Sequence, residues 1–232
     1  MSHRTLLGLW AHPDDEAYLS AGLMYEHARR GDRVVVVTAT AGEHGTTDPE
    51  AWPPRRLAAG RRAELTASLA AVGVHEHVVL DHRDGGCADV DGTDVFAAYI
   101  VAVDPDLIVT FGPDGMTGHA AHKDASAWAT KALHEAGKPG SKVLYATVTP
   151  EFAAEILPVW EPFEVFRPGT PPITPRDELA VYYELPEDVL ATKVDAINAH
   201  VSQVEAILEA VGPELWWKQM SIEAFRRGEE RS

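Results

Sequence analysis

The chain has 232 residues, 45% of them hydrophobic, with 36 Asp and Glu against 20 Lys and Arg for a net charge of −16, and one cysteine. That charge excludes the basic footprint a nucleic-acid partner needs, and a single cysteine excludes an internal disulfide and fits a reducing, cytoplasmic setting. No apolar run approaches a membrane span and MSHRTLLGLW is too short for a signal-peptide core, so no membrane partner is expected, and the length suits one domain over 1–232.

In chain order, residues 5–10 form an apolar run that reads as a buried strand ending at Ala11-His12-Pro13-Asp14-Asp15-Glu16. Residues 17–30 carry a helical apolar spacing closed by Gly31, and 32–40 hold Val34 to Val37 unbroken, the pattern of a strand buried on both faces. A long Gly-, Thr- and Pro-rich loop at 41–56 precedes a helix over 57–72 and a short strand at 77–80. A polar stretch, 81–94, leads to a helix at 95–103, a strand at 107–111, a loop at 112–118, a helix at 119–136 and a strand at 143–148. This alternation predicts an α/β fold: a Rossmann-like, mostly parallel sheet with helices on both faces. The loops at 11–16, 41–56, 81–94 and 112–118 all follow strands, so right-handed crossovers bring them to one rim.

Seven prolines between 149 and 176 break any helix or central strand, and this segment reads as an extended excursion, a lid or an oligomer contact. C-terminal helices are expected over 186–228: a long one at 187–211, and a last amphipathic one at 215–227 carrying Trp216 and Trp217. From Gly228 onward the chain is expected to fray.

Placing His12, Asp14, Asp15 and Glu16 at the exit of a core strand sets three carboxylates against one another unless a cation or a hydrogen-bond network neutralises them. Imidazole and carboxylate suit zinc, and His12 and Asp15 can face one ion from a single turn. The plainer alternative, a capping Asp with acidic first-turn residues, leaves the His-Pro unexplained. A catalytic zinc takes three protein ligands and keeps a position open. The remaining ligand is sought in Gly118-His119-Ala120-Ala121-His122, where two histidines three apart project to one side of a first helical turn. One would bind metal while the other points at substrate.

These pieces, with Gly42-Glu43, Arg61-Arg62-Ala63-Glu64-Leu65 and Lys193 followed by Ala199-His200-Val201-Ser202-Gln203, resemble the PIG-L/LmbE-like family of zinc-dependent N-acetylglucosaminyl de-N-acetylases, which includes mycothiol and bacillithiol pathway deacetylases. The resemblance implies Zn2+, or another divalent metal, held by His12, Asp15 and His122. It implies Asp14 as general base, and His119 as the group that stabilises the oxyanion or protonates the departing amine. On the substrate side it implies Arg61, Glu43 and His200, the last in a supporting role with Glu16, and Asp84 joins them from its place on the expected rim rather than from the resemblance. Arg61 could equally pair with Glu64 one turn away, and Asp84 could belong to a solvated turn. Many members read HPDH where this chain has Ala121, so His119 would be held less strongly as imidazolium unless Asp114 or Asp124 replaces that aspartate. The implied substrate is a small N-acyl molecule, a sugar by family analogy. Amide hydrolysis on a non-sugar such as a thiol conjugate, and a silent metal-binding regulator, are the rival readings; a homo-oligomer is left open. Cys87, alone in a polar loop, is expected to be neither ligand nor nucleophile.

Overall fold

Each apolar run that ends in a turn signal becomes a strand, and the amphipathic stretch behind it becomes a helix. The computed structural model describes residues 4–46, 48–85 and 87–228. Strand β1 (Thr5–Trp10) leads into helix α1 (Asp15–Arg29), β2 (Arg33–Thr40) into α2 (Pro54–Ala71), and β3 (Glu76–His82) into α3 (Thr93–Val103). Strand β4 (Leu107–Thr110) leads into α4 (Ala120–Ala136), and β5 (Lys142–Thr147) into α5 (Pro150–Trp160). The chain ends with β6 (Val181–Glu184), α6 (Glu187–Asn198), α7 (Val201–Val211), α8 (Pro213–Gln219) and β7 (Ile222–Arg227). Among the described residues no helix is long and apolar enough to cross a membrane.

The seven strands run in the order β3-β2-β1-β4-β5-β7-β6. The first five are parallel; β7 pairs antiparallel with β5, and β6 antiparallel with β7. Right-handed crossovers carry α1 and α2 over one face as the chain moves outward to β3, and α3 and α4 over the other as it returns to β4. The packing agrees: α1 and α2 contact α6, while α3 contacts α4. Sandwiched between these layers, Leu6, Leu7, Leu9, Trp10, Val36, Val37 and Val109 are fully buried. Chain direction reverses between β1 and β4, which is where open α/β sheets bind ligands.

Three expectations are corrected. The 149–176 segment contains a helix, α5: Pro150 occupies its first turn, where no N–H is needed, and Thr149 Oγ1 caps it by accepting from Phe152 N at 3.2 Å. Pro158 falls in the last turn, and Phe152, Ile156 and Trp160 keep a four-residue spacing that outweighs the lost hydrogen bond. The long helix at 187–211 is two, α6 and α7, broken at Ala199-His200 where His200 has ψ 53°. The last segment is a short helix, α8, followed by β7, because Glu223, Ala224 and Phe225 are all buried against neighbours on two sides. Gly228 is held by donating to the Val143 carbonyl at 2.9 Å, and the residues after it lie outside the described ones.

Glu223 also fixes α1. Its Oε1 accepts from Gly22 N at 2.8 Å and from Lys193 Nζ at 2.9 Å, and its Oε2 from Leu23 N at 2.9 Å. Both side chains of the ion pair are sealed from solvent. Removing one partner of such a pair strands a buried charge, so Lys193→Ala is expected to cost about 3–5 kcal/mol of stability. Urea unfolding of the variant measures this, and a cost under about 1 kcal/mol would show that water reaches the pair.

Candidate metal centre and cleft

The exit of β1 is pinned from the strands on either side of it. Thr40 donates to the Ala11 carbonyl through N (2.9 Å) and Oγ1 (3.1 Å), and Thr110 Oγ1 donates to the Leu9 carbonyl at 2.7 Å. Asp15 then folds back over the turn, its Oδ2 accepting from Ala11 N (3.2 Å) and His12 N (2.8 Å). From the neighbouring strand, Phe111 stacks on the His122 ring at 4.3 Å and 14°. His12, Asp15 and His122 thereby meet, one donor atom of each lying within 4.8 Å of the others.

Proton placement leaves these donors able to accept a cation. His122 Nδ1 lies 3.0 Å from the Gly115 carbonyl, which can only accept, so Nδ1 carries the hydrogen and Nε2 keeps its lone pair. His12 Nε2 lies 3.1 Å from Asp84 Oδ1, which likewise turns His12 Nδ1 inward. The inward nitrogens are 3.0 Å apart, with Asp15 oxygens at 3.4 Å from His122 Nε2 and 3.8 Å from His12 Nδ1. Only a proton or a cation reconciles two lone pairs and a carboxylate at that spacing. Tetrahedral zinc with ligands at about 2.0–2.1 Å sets neighbouring donors about 3.3 Å apart. The donor set fits a divalent metal.

Burial pushes the Asp15 carboxyl up to about 7, against the lowering effect of His12. Burial likewise opposes charge on both rings. For His12, the Asp84 hydrogen bond and the Asp15 and Asp84 charges outweigh it and raise the pKa; for His122, burial and the His12 charge drive it well below the usual range. Asp84 is held well below the carboxylate range, because the hydrogen bond and charge of His12 overcome its burial.

Asp14 stands beside this cluster without joining it. It caps α1 at φ 115°, a left-handed conformation that costs a non-glycine residue of order 1–3 kcal/mol. Glu16 Oε2 accepts from Asp14 N at 3.1 Å, and Asp14 Oδ2 accepts from the Arg61 guanidinium at 3.0 Å. Burial raises the Asp14 pKa, with Arg61 and His200 acting in the opposite direction. Arg61, 3% exposed, also donates to the Pro13 carbonyl at 2.5 Å and the Gly42 carbonyl at 3.0 Å. Any side chain at Gly42 (φ +62°) would take the space of that guanidinium. The alternative pair with Glu64 does not form: Glu64 accepts from Ser202 N at 2.8 Å and Ser202 Oγ at 2.7 Å.

A cleft of about 1500 Å³ opens over these groups, lined by His12, Asp14, Asp15, Arg61, Asp84, His119 and His122 among others. Two substrate-side expectations are corrected. His200 is fully buried behind Asp14, with Nε2 3.3 Å from Glu16 Oε1, and it does not line the cleft. Glu43 is also off the cleft; its Oε1 accepts from Asp84 N at 2.9 Å and so braces the loop that orients His12. His119, half-buried at the start of α4, has no hydrogen-bonded carboxylate among the described residues. Burial and the charges of Arg167 and His12 lower its pKa, which makes it a neutral donor. Asp114 does not replace the missing aspartate, since it accepts from Arg226 at 2.9 Å. Cys87 is buried, and burial pushes its thiol up to about 11, as an inert residue requires. The Phe111 platform and the Gly115 carbonyl went unread in the sequence; an aromatic residue closing the strand before GHxxH was the available signal.

Comparison with known proteins adds three findings. The model of a family described as GlcNAc-PI de-N-acetylase (PIG-L) matches residues 7–133. The 1D-myo-inositol 2-acetamido-2-deoxy-alpha-D-glucopyranoside deacetylase of Thermobifida fusca is 32% identical, over 88% of this chain and 85% of its own. Two solved structures share the fold. N,N'-diacetylchitobiose deacetylase from Pyrococcus horikoshii has TM-score 0.71 and 20% identity, covering 97% of this chain and 84% of its own. The 4-carboxy-2-hydroxymuconate hydratase GalB from Pseudomonas putida has TM-score 0.67 and 17% identity, covering 99% and 98%. One fold thus carries a hydrolase and a hydratase, and the fold alone does not choose between them.

Proposed function

Since this chain belongs to the PIG-L family of GlcNAc-PI de-N-acetylases, we propose that it hydrolyses the N-acyl amide of an amino sugar, releasing acetate and the free amine in a cytoplasmic setting. The favoured substrate is an N-acetylglucosaminyl group joined to an inositol, the compound named for its 32%-identical relative. The observation that carries this reading is a three-donor cation site with an unliganded, strained carboxylate beside it in an open cleft.

In this reading His12, Asp15 and His122 hold zinc, with Asp84 fixing the tautomer of His12. Zinc bound there would bring the pKa of a water toward ~7 and polarise an amide carbonyl. Asp14, its pKa raised by burial and its carboxylate aimed by Arg61, takes the proton from the attacking water. His119 donates a hydrogen bond to the oxygen that gains charge, as a neutral imidazole can. The proton on Asp14 then passes to the nitrogen, so the leaving group departs as an amine and the carboxylate is restored.

Acetate release is the test. The zinc-loaded protein incubated with N-acetylglucosaminyl-inositol is expected to yield equimolar acetate and primary amine. A protein that binds zinc stoichiometrically yet releases neither from this substrate nor from a panel of N-acetyl sugars would overturn the proposal.

A further inference from the structure

Asp14 is held at two points. Arg61 fixes its carboxylate, and Glu16 Oε2 accepts from its backbone N at 3.1 Å. The backbone is where the strain sits, because φ 115° persists only where neighbours impose it. Those neighbours are buried. Glu16 and His200 are both sealed from solvent, and His200 Nε2 lies 3.3 Å from Glu16 Oε1. A carboxylate only accepts, so Nε2 carries the hydrogen and donates it. Asp14 N and His200 Nε2 thus share one buried carboxylate, one oxygen each.

His200 is an unusual residue for its place. It is the N-cap of α7, a position that favours Ser, Thr, Asp or Asn, and its ring does not cap the helix. The ring turns instead to Glu16, 184 residues earlier in the chain. Its position is fixed from α2, where Glu64, one turn beyond Arg61, accepts from Ser202 N and Oγ. The helix that aims the Asp14 carboxylate is therefore tied to the helix that carries His200. Both His200 and Ser202 lie beyond residue 133, outside the stretch that the family model matches.

We propose that His200 is a positioning residue: through Glu16 it keeps Asp14 in its left-handed conformation, with the carboxylate standing where an attacking water loses its proton. The proposal rests on Asp14 acting as the base of amide hydrolysis. Without the His200 donor, a buried carboxylate is left with a free oxygen, and it turns to find another partner at the expense of the Asp14 N–H. Asp14 then relaxes out of the left-handed region, and its carboxylate leaves the reacting position.

The test compares His200→Gln with His200→Asn in the zinc-loaded protein. Gln places an amide N–H where Nε2 stands; the shorter Asn suits the helix cap but stops short of Glu16. In His200→Asn, kcat for acetate release is expected to fall by about ten- to a hundredfold. The variant should keep its zinc, and its KM should stay within about twofold because His200 does not line the cleft. In His200→Gln, kcat is expected to stay within about threefold of wild type. Val204→Ala, buried on the same helix, gauges lost packing alone: Tm falls and kcat holds. Crystal structures of the wild type and both His200 variants read Asp14 directly. Its φ is expected near 115° in the wild type and His200→Gln, and negative in His200→Asn. Positive φ retained in His200→Asn would overturn the proposal whether or not any amide is cut, and so would negative φ with kcat unchanged. A wild type that cuts no amide fails the hydrolase reading instead, and the φ comparison still decides whether His200 holds Asp14.

Discussion

Asp14→Asn is expected to lower kcat for acetate release by about 10²–10⁴-fold while the protein keeps its metal. The substitution preserves shape and the backbone contacts that hold φ at 115°, including the Glu16 acceptor at 3.1 Å, but removes the carboxylate proposed to take the proton. Asp14 is not one of the three converging donors, so nothing in the metal's shell changes. Metal analysis and single-turnover kinetics on the same sample check both halves. Loss of metal together with activity would make Asp14 a ligand, and an unchanged kcat would move the base elsewhere.

His122→Ala is expected to abolish stoichiometric zinc binding and, with it, measurable turnover, because two remaining donors cannot close the site. Asp84→Ala, which frees the far nitrogen of His12 and the His44 N–H but removes no candidate ligand, is expected to weaken metal affinity by about 10–100-fold. A ligand present at a thousand times its Kd stabilises by about 4 kcal/mol, so chelation should lower the wild-type Tm by on the order of 10 °C and leave His122→Ala unmoved. The pH dependence has a definite sign. Without metal the Asp15 carboxyl titrates near 7, its charged form disfavoured by burial, so below that pH a proton occupies it and must leave when metal enters. Affinity is therefore expected to fall by at least about tenfold per unit as pH drops below ~7, since His12 with its raised pKa adds a second proton to displace, with proton release detectable in weak buffer. Metal affinity flat from pH 7.5 to 5.5 would mean that Asp15 is not a ligand.

The half of the chain that carries the centre was legible because its elements obey local rules. Val34 to Val37 can only be an interior strand, AHPDDE follows directly on another, and GHxxH follows a third across a short loop. What was not legible depends on partners far along the chain. Glu223 looks solvent-facing until Lys193, 30 residues away, meets it, and the segment it belongs to reads as an amphipathic helix on Trp216 and Trp217. Asp84 lies in a polar turn whose composition suggests hydration; only the fold reveals His12 at 3.1 Å. The prolines at 150 and 158 hid α5 because proline was weighed as a breaker throughout, although at a first or last turn it breaks little.

The segments that carry the candidate cation ligands follow β1 and β4, neighbours in the middle of the sheet and far from either edge. Backbone amides there should exchange with deuterium only through whole-molecule opening. Heat should then extinguish turnover and far-UV ellipticity along one curve.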